Sequence, residues 1–284
     1  MKVISFVGIK GGIGKTSLAK EFIEKLKREL RQRGSEKKIL TLDLDHQCNL
    51  TQAHGLYESE GTVVNIFKRQ GDVVIHHIDE QLDMIAGAMD LDVIESELET
   101  KTFKDMLLYM WLDKNYDDID ADQYEYVVID CRPDFSIATR NAVAISDMLL
   151  SPIIPSQYSL DSRQNLETRL QMYADENIDY KTGESNIDTE LYFLGNMIKH
   201  NTLASKELVQ QLENDPKVLG FVPYKELFIR ATIADSENGV QPSVYDLIEK
   251  DEYNCIRLTD HRHFLYELDG VLNKVLLKLD SISV

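Results

Sequence analysis

Near its N-terminus the chain reads Lys10-Gly11-Gly12-Ile13-Gly14-Lys15-Thr16-Ser17, and the segments on either side differ in period. Upstream, Val3 to Ile9 (VISFVGI) is an apolar run of strand length. Downstream, Leu18, Phe22, Leu26 and Leu30 recur every four residues among Lys, Glu and Arg until Gly34, the pattern of an amphipathic helix with a glycine stop. Strand, glycine turn and helix in that order let backbone N–H groups curl without Cβ clashes. The positive end of the helix then points into the curl. Such a loop suits phosphate oxygens. Gly11, Gly12, Ile13 and Gly14 offer backbone contacts, Lys15 can reach β- and γ-phosphates, Thr16 can ligate Mg²⁺ and Ser17 adds a hydroxyl.

Further along, Ile39–Leu44 (ILTLDL), Leu82–Ala86, Tyr126–Ile129 (YVVI), Asp147–Ile154 and Leu191–Met197 read as strands. Helical patterns stand between and after them, notably Leu160–Asp175, Ser205–Glu213 and Phe264–Leu279. Strands buried on both faces alternating with helices predict an α/β doubly wound domain, a mainly parallel sheet flanked by helices. No repeat, low-complexity tract or Pro/Gly/Ser linker divides the chain, so one domain over 1–284 is expected. Asp113–Glu125 and Asp175–Asp188 read as polar surface loops.

At 284 residues, a core that needs no staples is affordable in size, with roughly 75% of the unfolded surface buried. Mean hydropathy of −0.29 and 43% hydrophobic residues exclude a wholly disordered chain. Thirty-one Lys and Arg against 49 Asp and Glu give −18, spread evenly along the sequence. Attachment to DNA or anionic lipid by bulk charge is excluded; a local basic patch is not. Cys48, Cys131 and Cys255 form neither a disulfide framework nor a paired metal spacing, which fits a reducing cytosol. With no signal-peptide pattern and no apolar stretch long enough to span a bilayer, a cytoplasmic protein is expected. The adjacent histidines His76 and His77, and the nearby His261 and His263, lack the companions of a metal set.

Lys10, directly before the double glycine, departs from the general phosphate loop, which has a glycine where this chain has Ile9. Placed so early, it is poorly sited for its own loop and well sited to cross a dimer interface. With this second lysine the loop resembles the deviant Walker A motif of the ParA/MinD ATPases. Leu42-Asp-Leu-Asp-His-Gln-Cys-Asn-Leu-Thr51 resembles the D-x-D-P-Q-G-N-x-T segment of that family, with His46 and Cys48 as departures. Tyr126–Pro133 (YVVIDCRP) resembles its Walker B strand, with Arg132 in place of a proline, and Asn141-Ala resembles a following N-A pair. Gly195-Asn-Met-Ile and Val222-Pro223 sit where the family has its base-contacting strand end and an I-P-R triplet, Tyr224 replacing the arginine.

The resemblance implies a fold, a reaction and roles. ATP and Mg²⁺ are the expected cofactors, and a homodimer clasping two ATP molecules is the expected state. Lys10 acts on the partner's nucleotide, Lys15 on its own, and Asp45 orients or deprotonates the attacking water. Thr16, Asp130 and Asp43 serve the metal, Asp43 and Asp45 sharing a face by strand alternation. Asn196 and Pro223 flank the adenine. Closest are the Soj-like ParA proteins, which partition plasmid or chromosomal DNA. They hold non-specific DNA as ATP dimers and respond to a ParB-like or small DNA-binding adaptor. Ile229-Arg-Ala-Thr-Ile-Ala-Asp-Ser resembles their DNA-contacting stretch, making Arg230 the first DNA candidate, with Arg257 and Arg262 behind it. With the loop this early, no N-terminal helix-turn-helix domain is expected. Nor is membrane association expected: Phe264–Leu279 has an apolar face and too few cations for a lipid surface, and reads as a packing helix. The alternatives are a MinD-like positioning ATPase and a ligase of the dethiobiotin-synthetase kind.

Overall fold

The structure is a computed structural model, and it describes residues 1–156, 158–233, 239–253 and 258–283. In chain order its elements are β1 (Lys2–Phe6), α1 (Lys15–Gln32), β2 (Lys38–Leu44), α2 (Asn49–Ala53), α3 (Val63–Lys68), β3 (Ile75–Asp79) and β4 (Leu82–Ile85). There follow α4 (Leu91–Leu98), α5 (Leu107–Asn115), β5 (Tyr124–Cys131), α6 (Ile137–Ile145), β6 (Met148–Ile153) and α7 (Ser159–Glu176). The chain ends with β7 (Glu190–Ile198), α8 (Leu203–Leu212), β8 (Val218–Pro223), α9 (Leu227–Arg230), α10 (Val244–Tyr253) and α11 (Leu258–Ser281).

Eight strands form one sheet in the order β3-β4-β2-β5-β1-β6-β7-β8. Every pairing is parallel except β3 with β4. Alternation along the strands divides the core in two. On one face Val3, Leu40, Leu42, Val127 and Ile129 pack with α4, α5 and α6. On the other, Ile4, Phe6, Ile39, Tyr126 and Val128 pack under α1, α10 and α11. The stripe Leu18, Phe22, Leu26 and Leu30 of α1 is fully buried there, as its four-residue spacing predicts. Phe264, Leu268, Leu272, Val275 and Leu279 are likewise inside, so α11 is the packing helix expected of it.

Three expectations need correction. The first strand stops at Phe6, because Gly8 begins the loop and only Val7 N–H still reaches Leu150 C=O, at 3.0 Å. The polar stretch 113–125 is not one loop: α5 runs to Asn115, a 3-10 turn covers Ala121–Gln123, and β5 begins at Tyr124. β3 and β8, absent from the sequence reading, close the two edges of the sheet. β3 (IHHID) is half-buried along its length and carries no apolar run to reveal it.

Candidate nucleotide site

At the C-terminal end of the central strands the chain makes a cavity of about 440 Å³. Gly11, Gly12, Gly14, Lys15, Thr16 and Ser17 line one end of it, with Asp45, Gln47, Asn49 and Pro133 beside them. This is where ligands bind in open parallel sheets, and the strand–loop–helix order creates it. Gly14 is the N-cap of α1 with φ +92°, in left-handed space, and a Cβ there would overlap the Asn196 carboxamide. No side chain caps the helix, so its first N–H groups face the cavity unsatisfied.

Asp130, next to last in β5, lies directly beside Asp43 of β2, the two being register partners across the pair. Both point to the α1 face and both are fully buried. Their surroundings differ. Asp43 accepts from Asp45 N–H at 3.1 Å, Thr51 N–H at 2.9 Å and Thr51 hydroxyl at 2.8 Å. Burial still pushes its carboxyl up to about 6, those donors pulling the other way. It braces the turn that carries Asp45. Neither oxygen of Asp130 meets a donor at hydrogen-bonding geometry. Burial, then the charge of Asp43, raises its pKa well above the ordinary range, while the Thr16 hydroxyl and the Lys15 ammonium pull it partly back. A buried carboxylate with two bare oxygens next to a hydroxyl fits a Mg²⁺ ion. That ion keeps few protein ligands and completes its shell with phosphates and water. Among the described residues no cluster of three or more His, Cys, Asp or Glu forms a ready-made metal cage.

Asp45 lies just beyond β2 rather than within it, so its place at the cavity comes from the turn that Asp43 holds and not from strand alternation. Its carboxylate caps Gln47 N–H at 3.0 Å, with His46 Nδ1 3.5 Å away. Lys10 does not line the cavity. Its ammonium sits over the Tyr158 ring, 5.2 Å from the centroid. Asn196 is 4% exposed and donates to Ile13 C=O at 2.8 Å, holding the glycine loop from behind; neither it nor Pro223 lines the cavity. Arg230 and Arg262 are exposed, each engaged by another group, and Arg257 lies outside the described residues.

The sequence reading missed the far end of the cavity: Lys20, Glu21, Ala53, Phe228, Ala231, Thr232 and Gln241. Charged residues within an amphipathic helix ordinarily read as solvent-facing, and only the distance of one turn from Thr16 and Ser17 could have singled out Lys20 and Glu21. Arg132 also emerges as a fastener. It pairs with Glu95 at 2.7 Å and Asp134 at 2.6 Å, and Glu95 accepts from Ala138 N–H at 2.6 Å, so the loop after β5 is tied to α4 and α6.

Comparison with known proteins gives a consistent picture. The AAA_31 family model, an AAA domain, matches residues 1–181. A Methanocaldococcus jannaschii protein without assigned function is 27% identical over 242 residues, covering 78% of this chain and 85% of its own length. The sporulation initiation inhibitor protein Soj of Bacillus subtilis is 29% identical over 170 residues, covering 58% of this chain and 63% of Soj. Among solved structures, a plasmid partition protein of Borrelia burgdorferi bound to AMPPNP superposes with TM-score 0.73 at 22% identity, over 98% of this chain and 99% of that one.

Proposed function

The chain belongs to the AAA_31 family of AAA domains, as a ParA/MinD-type P-loop ATPase, and from that premise we propose that it is an ATP-operated dimer switch for DNA partition. Two copies join when each holds ATP, the dimer retains DNA without sequence preference, and a DNA-bound partner of the ParB type prompts hydrolysis and release. The protein acts in the cytoplasm, on the nucleoid while it holds DNA. One observation carries the nucleotide reading: the glycine loop and the open end of α1 line the cavity, and Thr16 and Lys15 at that end stand beside the buried carboxylate of Asp130.

Thr16 and Asp130 would hold Mg²⁺, which when bound neutralises charge on the β- and γ-phosphates. Lys15, 7% exposed, is confined where those phosphates would lie. Asp45 accepts the proton of the attacking water or orients it, its loop fixed by the Asp43–Thr51 bonds. Lys10 serves the neighbouring protomer. Its seat on Tyr158, outside its own cavity, supports that role, and such a cationic finger is worth roughly 10³–10⁵ in rate in related NTPases. Arg230, and Arg262 behind it, supply a local basic contact for DNA in a chain of net charge −18.

Paired lysine variants test this reading. Lys15→Ala is expected to abolish binding of a fluorescent ATP analogue. Lys10→Ala is expected to bind it normally yet remain monomeric in sedimentation with ATP. Equal loss of binding in the two variants would contradict the division of labour. Flotation with anionic vesicles in ATP, without retention of DNA, would favour a membrane-positioning ATPase instead.

A further inference from the structure

On the face of the sheet that α4, α5 and α6 cover, a groove of about 660 Å³ runs between α5 and the turn that follows α3. It shares no lining residue with the nucleotide cavity. Its floor is apolar: Ile66 and Leu107 are buried, and Val73 and Trp111 are half-buried beside them. Tyr109, 50% exposed, and Met110 line it from α5. The opposite wall is a fastened turn. Arg69 and Gly71 both lie in left-handed space, at φ +54° and +76°, Asn65 Nδ2 donates to Asp72 C=O at 2.7 Å, and Val74 N–H donates to Gly61 C=O at 2.7 Å.

The rim is acidic, in a place where local stability disfavours it. Asp113 lies in the last turn of α5, and Asp117, Asp118, Asp120 and Asp122 follow before β5, against Lys114 alone. A helix C-terminus carries partial negative charge and favours cations, so these carboxylates crowd an end that repels them. Asp122 accepts the Tyr116 hydroxyl at 2.7 Å. Asp72, Asp113 and Asp118 all line the groove, and among the described residues no hydrogen bond or ion pair engages their carboxylates. Arg69 and Lys114 stand on the same rim without closing onto them, and no cation or second ring sits on Trp111 or Tyr109. Charge set against its own helix marks a place where another requirement overrides stability. Open carboxylates beside exposed aromatic rings suit Lys and Arg, through charge-assisted hydrogen bonds and cation–π contact, while the floor suits an aliphatic side chain.

We propose that this groove docks a short basic segment of a partner protein, in which lysines and arginines flank an aliphatic anchor. The anchor sits over Ile66, Val73 and Trp111, and the cations meet Asp72, Asp113 and Asp118. The proposal stands apart from the nucleotide reading, because the two sites have no residue in common.

Trp111 is the only tryptophan in the chain, so its fluorescence reports on the groove directly. Three probes would be titrated: a capped synthetic peptide with one leucine between Lys-Arg pairs, the same peptide with glutamate at every basic position, and spermidine. Wild type is expected to give a saturable change with the basic peptide and none with the acidic one. Asp113→Asn combined with Asp118→Asn, both at exposed positions, should weaken the basic peptide about tenfold. Tyr109→Ala should weaken it too, and both variants should bind a fluorescent ATP analogue as wild type does. Glu184→Gln combined with Asp188→Asn removes two exposed acids elsewhere and should leave the peptide's affinity unchanged. No saturable change in wild type, equal binding of the acidic peptide, or unchanged affinity in the Asp113 and Asp118 variant would each overturn the proposal. So would an equal loss in the Glu184 and Asp188 variant, which would reduce the effect to the chain's overall charge. Spermidine binding as tightly as the peptide would also overturn it, leaving a polyamine site with no use for the anchor.

Discussion

Asp130 carries a cost that its neighbours do not relieve. Its folded pKa is raised, so the ionised form is the disfavoured one and its contribution to stability declines as pH rises. Asp130→Asn removes the buried charge at nearly the same volume. The ligand-free variant is expected to melt a few degrees above wild type in calorimetry, while its stabilisation by Mg²⁺ with ATP disappears. His54 works in the other direction. Its Nδ1–H donates to Leu50 C=O at 2.9 Å, and burial lowers its pKa to about 4. Because the unfolded histidine binds a proton first, this contribution is complete above about pH 6.5 and is lost as pH falls towards 4, up to a few kcal/mol. Denaturant melts across that window should lose much of their slope in His54→Gln. Glu21, pushed up to about 8 chiefly by burial, has the opposite sign: its contribution is present below about pH 4.5 and fades as pH rises through 8. The histidine variant is therefore needed to isolate the acid limb. Of these residues only Asp130 was legible in the sequence, because a motif surrounded it. His54 and Glu21 owe their character to tertiary neighbours that no local spacing announces.

Among the elements, α1 showed its bounds and its apolar stripe in the sequence, glycine before it and glycine after it, but not the burial of Lys20 and Glu21. β5 was visible as an apolar run, and the structure extends it to Tyr124–Cys131. What stayed hidden were elements stabilised by contacts rather than pattern. The five-residue α2 is held by Asp43, whose carboxylate takes Thr51 N–H and hydroxyl. β8 carries two glycines' worth of close approach at its edge: a Cβ on Gly220 would press on Val271 at 3.1 Å, and one on Gly195 of β7 would overlap Phe221. The Arg132–Glu95 fastening likewise joins three segments. Glu95 is 6% exposed and serves both the guanidinium and the amide end of α6. Glu95→Ala would leave the Ala138 N–H without its partner and Arg132 with Asp134 alone, at about 1–3 kcal/mol. Urea unfolding should show the loss, and ATP turnover should fall because Pro133, at the cavity rim, follows the loop.

At the scale of the molecule, an overall charge of −18 constrains the DNA binding proposed for it. Any retention must come from few local contacts and fall with salt on a slope that counts them. Filter binding with ATP is expected to show this, and Arg230→Ala to reduce the salt slope by about 1 without changing sequence preference. The parallel architecture was legible because it repeats one unit, apolar strand then amphipathic helix; the wall of the cavity was not, because it is assembled from distant parts. Among the described residues no helix is long and apolar enough to cross a membrane. The bonds that Lys20 donates to Ala231 and Pro242 C=O, and that Glu21 accepts from Val244 N–H, span 211 to 223 positions along the sequence. During synthesis, then, the glycine loop waits for about 220 further residues before its pocket can close. A nascent chain cannot complete this wall until Val244 has emerged, so the cavity closes late relative to its own loop.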